Sequence, residues 1–173
     1  LGNAIQKAVP GPRIPRIFDD FRADLGDWVG ERSASSDWTL RPGELRPGKL
    51  RLWKPSLNLV DYQLEFKGQI EKKAIGWAYR AADLQNYYGG KIVVTRTGRQ
   101  ARAEIQRFVV LGGKPRDHLS TPLPGTYAAE MVYHVKVSAK GAVFQTIVNG
   151  RMVDSFRDTR LAKGEARAME GIP

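Results

Sequence analysis

Apolar and polar residues alternate with a period of two over much of this chain, the spacing that sends successive side chains to opposite faces of a β-strand. Tyr62, Leu64, Phe66, Gly68 and Ile70 alternate with Gln63, Glu65, Lys67 and Gln69. Ile75, Trp77 and Tyr79 alternate with Gly76, Ala78 and Arg80, and Tyr88, Gly90, Ile92 and Val94 with Tyr87, Gly89, Lys91 and Val93. Past the Gly98 turn, Ala101 to Leu111 carries Arg102, Glu104 and Gln106 on its polar side. The recurring division predicts consecutive neighbouring strands with one apolar and one polar face.

Shorter strands are predicted on either side of this block. Ile17 to Phe21, Trp38 to Leu40 and Lys49 to Trp53 precede it, separated by Gly, Pro, Ser and Asp clusters. Val132 to Ser138, Val143 to Val148 and Arg151 to Phe156 follow, the last two joined by Asn149-Gly150, a pair that tolerates the positive φ of a type I′ hairpin turn. Gly112 to Ala129, rich in Gly and Pro, reads as a long loop. Pro10, Pro12 and Pro15 make residues 1–16 an extended arm, and the Ala-rich stretch from Leu161 a short helix or frayed strand. About ten short strands with almost no helical period predict an all-β fold, an antiparallel two-sheet β-sandwich of jelly-roll type, with a closed barrel as the alternative. The domain reading is an arm over 1–16, a sandwich over 17–164 and a tail over 165–173.

Length and composition narrow this further. At 173 residues the chain suits one core. The absence of cysteine removes disulfide frameworks, thiolate metal sites and cysteine nucleophiles together. The formal net charge of +10 is spread over nearly every segment. A diffuse excess attracts nucleic acid, anionic lipid or acidic polysaccharide without specificity, so no specific nucleic-acid partner is expected. The chain opens at Leu1 and shows neither a cleavable signal pattern nor an apolar stretch long enough to span a bilayer, which reads as a piece excised from a longer protein.

Candidate chemistry gathers on the polar phase. If the strands are neighbours, Glu65, Lys67, Gln69, Arg80, Tyr87, Lys91, Arg102, Glu104 and Gln106 point one way, with the small residues Gly76, Ala78 and Gly89 among them. Small residues in mid-strand weaken a sheet, so their clustering suggests a groove where something approaches the backbone. Amides and charges bind sugar hydroxyls, and a ring such as Tyr87 stacks on a pyranose; a solvated outer face is the other explanation of the same alternation. Glu65 and Glu104 are weak catalytic candidates, since glycoside hydrolysis uses two carboxyls roughly 5–10 Å apart. Gln63 and Lys67, not further carboxylates, flank Glu65 at the alternate positions of its strand. Among the tryptophans, Trp77 shares the apolar phase and is expected in the core, and Trp53 is the better candidate for an exposed ring. Gly43 to Leu50 resembles a phosphate loop, but Leu50 stands where Ser or Thr would hold magnesium. His118 and His134 lie far apart, and no loop is rich enough in Asp for calcium, so no metal or cofactor is expected.

Trp38-Thr39-Leu40 with Gly43-Glu44-Leu45, Asp61 to Phe66, Gly76 to Ala81, Asp83 with Asn86-Tyr87-Tyr88, and Val148-Asn149-Gly150 through Phe156 together resemble the concanavalin A-like lectin/glucanase superfamily. More narrowly they are similar to the bacterial group of domains that includes the 3-keto-disaccharide hydrolase-like ones. The resemblance runs from about Phe18 to Gly164 and implies a jelly roll, export to the periplasm or cell exterior, free or as the soluble part of a membrane-anchored protein, and a carbohydrate on the concave sheet. Glu165 to Glu170 replaces the Gly-rich apolar strand with which that group closes. The resulting expectation is a non-catalytic carbohydrate-binding module, its ligand neutral or acidic, held by Glu65, Lys67, Arg80, Tyr87, Lys91, Arg102 and Glu104. The alternatives are a glycoside hydrolase or lyase using Glu65 or Glu104, and a scaffold domain holding a protein partner.

Overall fold

The computed structural model describes residues 16–31, 37–128 and 130–161. The predicted arm before Arg16, the tail from 165 and the closing strand in question after Leu161 lie outside the described residues. Strands β1 (Trp28–Val29), β2 (Thr39–Arg41), β3 (Glu44–Arg46) and β4 (Leu52–Trp53) come first, paired β1 with β4 and β2 with β3. They are followed by β5 (Tyr62–Gly68), β6 (Ala74–Asp83), β7 (Asn86–Arg96), β8 (Arg102–Leu111), β9 (Lys114–Pro122), β10 (Tyr133–Lys140), β11 (Val143–Val148) and β12 (Arg151–Arg157). These eight form two antiparallel four-stranded sheets, ordered β12-β11-β10-β5 and β6-β7-β8-β9, and the chain is an all-β, two-sheet sandwich as its periodicity predicts.

The core lies where the apolar phases meet. Val135 and Val137 from β10 and Phe144 from β11 are fully buried, and face Tyr79, Tyr88 and Ile92 of the other sheet. Aromatic contacts cross the interface: Tyr88 lies 4.6 Å from Phe144 and 5.9 Å from Phe156 between ring centroids, and Phe66 lies 5.4 Å from Trp77. Such pairs add ~0.5–1.5 kcal/mol each beyond the area they bury. Tyr88 also ties down the segment after β12, its hydroxyl donating to Asp158 Oδ1 at 2.8 Å and accepting from the Leu161 amide at 3.1 Å. Asn149 at φ +50° and Gly150 at +80° form the predicted hairpin turn.

Three expectations are corrected. β5 is not beside β6; it pairs with β10, and residues 69–73, with Ile70 buried among them, carry the chain from one sheet to the other. A period of two tells which face of a strand is apolar, not which of two sheets it joins. The predicted loop from Gly112 to Ala129 contains β9, which follows a tight turn at Gly112 and Gly113 (φ +58° and +79°). This edge strand is exposed at nearly every position, so it shows no alternation, and Pro115 and Pro122 are tolerated where, among the described residues, no further strand needs their amides. Ile17 to Phe21 is not a strand: the Asp19 and Asp20 carboxylates accept from the amides of Phe21 (2.8 Å) and Arg22 (3.1 Å), local turns that compete with ladder pairing.

The segment before β5 has its own aromatic cluster. Trp28 lies 6.0 Å from Trp53, 5.3 Å from Trp38 and 6.1 Å from Phe21, and its Nε1 donates to Asp19 Oδ2 at 2.8 Å. Trp53 is half-buried against Trp28 rather than a free ring. Among the described residues no helix is long and apolar enough to cross a membrane.

Candidate functional site

The outward face of the β6-β7-β8-β9 sheet is built by register. Gly76, Lys91, Gln106 and Ser120 stand in one cross-strand row, and Ala78, Gly89 and Phe108 in the next. Tyr87 is opposite Val110 beyond Phe108, and Glu104 is opposite Val93 beyond Gln106. Gly76 and Ala78 on β6 and Gly89 on β7 leave this face low beside Tyr87, Lys91, Gln106 and Phe108, with aromatic groups at one end and amide and charged groups in the middle.

Two adjacent glycines of β7 set its shape. A Cβ on Gly89 would lie 2.3 Å from Cε2 of Phe108, and a Cβ on Gly90 would lie 2.3 Å from Cε2 of Trp77. Successive strand residues face opposite ways, so Phe108 lies down on the strand from outside and Trp77 from inside. The pair supplies space, since neither has a positive φ. What approaches the backbone at Gly89 is therefore the protein's own ring, which the sequence reading assigned to a ligand. Phe108 is half-buried, and His118 stands beside it with ring centroids 5.7 Å apart. A bulge opposite Phe108, with Asp117 at φ +54°, brings His118 there.

The polar groups next to these rings are held or free in distinct ways. Gln106 Nε2 donates to Glu104 Oε1 at 2.6 Å, orienting both side chains. Lys91 has no ion pair, and the Tyr87 hydroxyl no hydrogen-bond partner, among the described residues. Burial pushes the Tyr87 hydroxyl pKa above its ordinary value, so it stays protonated and able to donate.

Of the residues predicted to share a face, Tyr87, Lys91, Arg102, Glu104 and Gln106 do so. Glu65 and Lys67 do not: they belong to β5 and lie on the outer face of the opposite sheet, next to β10. There the Glu65 carboxylate meets His134 Nε2 at 2.5 Å, and that hydrogen bond chiefly holds its pKa below the usual value. The two glutamates thus point away from each other across two sheets that pack ~10 Å apart, too far to flank one glycosidic bond. Gln69 lies past the end of β5, bonded to the carbonyl of Glu130 at 3.0 Å.

Arg80 is likewise removed from the surface. A bulge between Tyr79 and Asp83, with Arg80 at φ +46°, turns its side chain inward, where the residue is 8% exposed. Its Nη1 donates to the Gly141 carbonyl at 2.9 Å, its guanidinium lies 5.0 Å from the Phe144 ring centroid, and Asp61 stands 3.6 Å away. Strand alternation cannot reveal a bulge, so the polar phase carried Arg80 to the wrong side. Arg102 is exposed, and its Nη1 donates to the Gly125 carbonyl (2.9 Å) and Thr126 Oγ1 (3.2 Å), fastening the connection after β9.

Phe108 went unnoticed in the sequence reading. The signal was there in Gly89-Gly90, because adjacent mid-strand glycines leave both faces of a strand open to a neighbour's ring. Trp77 occupies the inner one, as its apolar phase predicts, packed on Phe66. Among the described residues no group of three or more His, Asp or Glu stands close enough to hold a metal ion.

No family model matches the chain, and no curated protein does. Among solved structures it is similar to the carbohydrate-binding module CBM66 from Bacillus subtilis, with 19% identity, 57% of this chain and 60% of that chain covered, and a TM-score of 0.44. The aligned part thus spans less than two thirds of that neighbour's length.

Proposed function

We propose that the outer face of the β6-β7-β8-β9 sheet binds a carbohydrate without transforming it. The observation that carries this reading is the Phe108 ring laid flat on Gly89, next to Tyr87 and one row from Lys91 and Gln106. A pyranose has an apolar C–H face and a rim of hydroxyls. It needs a flat ring beneath it and donors and acceptors to the side, and this face offers both, Gln106 standing two residues (~6.8 Å) along β8 from Phe108 and Lys91 across from Gln106 on β7. The Gln106–Glu104 bond holds an amide and a carboxylate in place for that rim, Lys91 adds a donor, and preorganised groups lose less entropy on binding. A hydrolytic reading has no such support, because Glu65 and Glu104 occupy opposite faces. The proposal includes a location outside the cytoplasm, where polysaccharides are encountered.

The test is a glycan-array screen of the chain followed by titration of the best neutral or acidic oligosaccharide against variants. Tyr87→Ala and Phe108→Ala are expected to weaken binding about tenfold or more, with the thermal midpoint little changed. Glu65→Ala and Lys67→Ala, on the opposite face, are expected to bind as the parent does. Loss of affinity in the second pair with none in the first would overturn the assignment.

A further inference from the structure

The outer strip continues past Glu104 to a cationic end. One step further along the strands, Arg102 stands directly opposite Arg96. Residues so opposed have Cα atoms ~4.5–5.5 Å apart, and like charges in that relation destabilise a sheet. Neither guanidinium meets a carboxylate among the described residues: Arg102 donates to Gly125 and Thr126, and Arg96 Nη1 reaches Gln100 Oε1 at 3.5 Å. Arg99 follows in the β7–β8 turn, exposed and without an ion pair among the described residues. The β5–β6 connection, with exposed Lys72 and Lys73, runs beside this end of β7, the Val94 amide donating to the Lys73 carbonyl at 2.9 Å. Glu71 in that connection is bound to Arg46 at 3.2 Å.

We infer that the carbohydrate bound on this face is an acidic glycan, its carboxylates or sulfates held by Arg96, Arg99 and Arg102 while a sugar ring rests on Tyr87 and Phe108. The inference rests on the reading of that face as a carbohydrate platform. Along β7 the distance from Tyr87 to Arg96 is about 30 Å, room for several sugar units in line. Between the ends Lys91 supplies a further cation, and Glu104 has an oxygen taken up by Gln106. An anion there relieves the Arg96–Arg102 repulsion, so the charge arrangement that costs stability in the free protein becomes favourable in the complex.

The experiment titrates the chain with hexagalacturonate, with its methyl ester, with a sulfated heparin hexasaccharide and with double-stranded DNA, from low to physiological salt. It compares the parent with Arg96→Gln/Arg99→Gln and with Tyr87→Ala. The expected result is that a charged hexasaccharide binds more tightly than the neutral ester. The double arginine variant then loses about tenfold on the charged ligand, keeps its affinity for the ester, and shows a salt dependence shallower by about two in log–log slope. Tyr87→Ala weakens all oligosaccharides. Equal binding of acid and ester, or a double arginine variant that binds the acid as the parent does, overturns the inference while Tyr87→Ala still reports on the platform. Binding of neither charged hexasaccharide overturns it too. DNA binding that falls in the arginine variant but not in Tyr87→Ala, with oligosaccharides unbound, overturns both readings in favour of a nucleic acid.

Discussion

Replacing Gly90 with alanine puts a methyl carbon 2.3 Å from Cε2 and 2.5 Å from Cζ2 and Nε1 of Trp77. Carbon pairs settle at ~3.5–4.0 Å, so the indole must retreat by about 1 Å. It has little room, since its other neighbours include Phe66 at 5.4 Å and the core beneath. Overpacking of this kind costs ~1–3 kcal/mol, against which replacing a mid-strand glycine returns ~0.5–1 kcal/mol. The net expectation is a loss of about 1–2 kcal/mol, read as a thermal midpoint lowered by about 2–8 °C. Gly89→Ala meets the same 2.3 Å approach, but from the half-exposed Phe108, which can swing outward. It is expected to cost less stability and to lower glycan affinity instead, because the platform tilts. Thermal and urea denaturation of both variants, with Trp77→Leu and Trp77→Leu/Gly90→Ala to close a double-mutant cycle, checks this. A Gly90→Ala protein as stable as the parent or more so, or a cycle showing no coupling to Trp77, would refute it.

Other perturbations separate scaffold from site. Arg80→Ala is expected to lose about 2 kcal/mol in urea denaturation, from the bond to the Gly141 carbonyl and the packing on Phe144, with no change in glycan affinity. Between the sheets, Arg107 Nε meets Asp154 Oδ2 at 2.8 Å over the Phe156 ring, and burial pushes the Asp154 carboxyl pKa above the usual range despite the arginine. Arg107→Ala strands that carboxylate and is expected to cost ~3 kcal/mol or more at neutral pH and less in mild acid, where Asp154 takes up a proton; equal losses at both pH values would contradict this. Burial raises the Asp158 pKa, but hydrogen bonds from Arg160 and Tyr88 outweigh it and leave the carboxyl below its ordinary value. Its stabilising contribution is therefore present above the unfolded pKa of ~3.9 and lost as pH falls through the folded value, so Asp158→Asn is expected to flatten the acid limb of the stability profile.

Much of the architecture was readable because strands with one buried face must alternate. β5, β6, β7, β8, β10, β11 and β12 all fall on segments where the apolar phase is plain. What alternation hides is partnership. It does not distinguish a hairpin from a crossing between sheets, so Glu65 and Lys67 were joined to Lys91 and Glu104 although a sandwich separates them. Nor does it show a bulge, which is why Arg80 was placed outside. The edge strand β9 was missed for a related reason: with solvent on both faces, Lys114 to Pro122 has no burial to impose a pattern. Phe108 needed the register of β7 against β8 to be seen above Gly89.

One outer face of the sandwich, that of β6-β7-β8-β9 and not that of β5 and β10, is proposed to take the glycan. Backbone amide shifts of the labelled chain, followed while a bound oligosaccharide is titrated in, test it most directly. Perturbations are expected to concentrate on Tyr87, Gly89, Lys91, Gln106 and Phe108, with Glu65, Lys67, His134 and Lys136 unmoved. Perturbations centred on β5 and β10, with β7 and β8 silent, would contradict it.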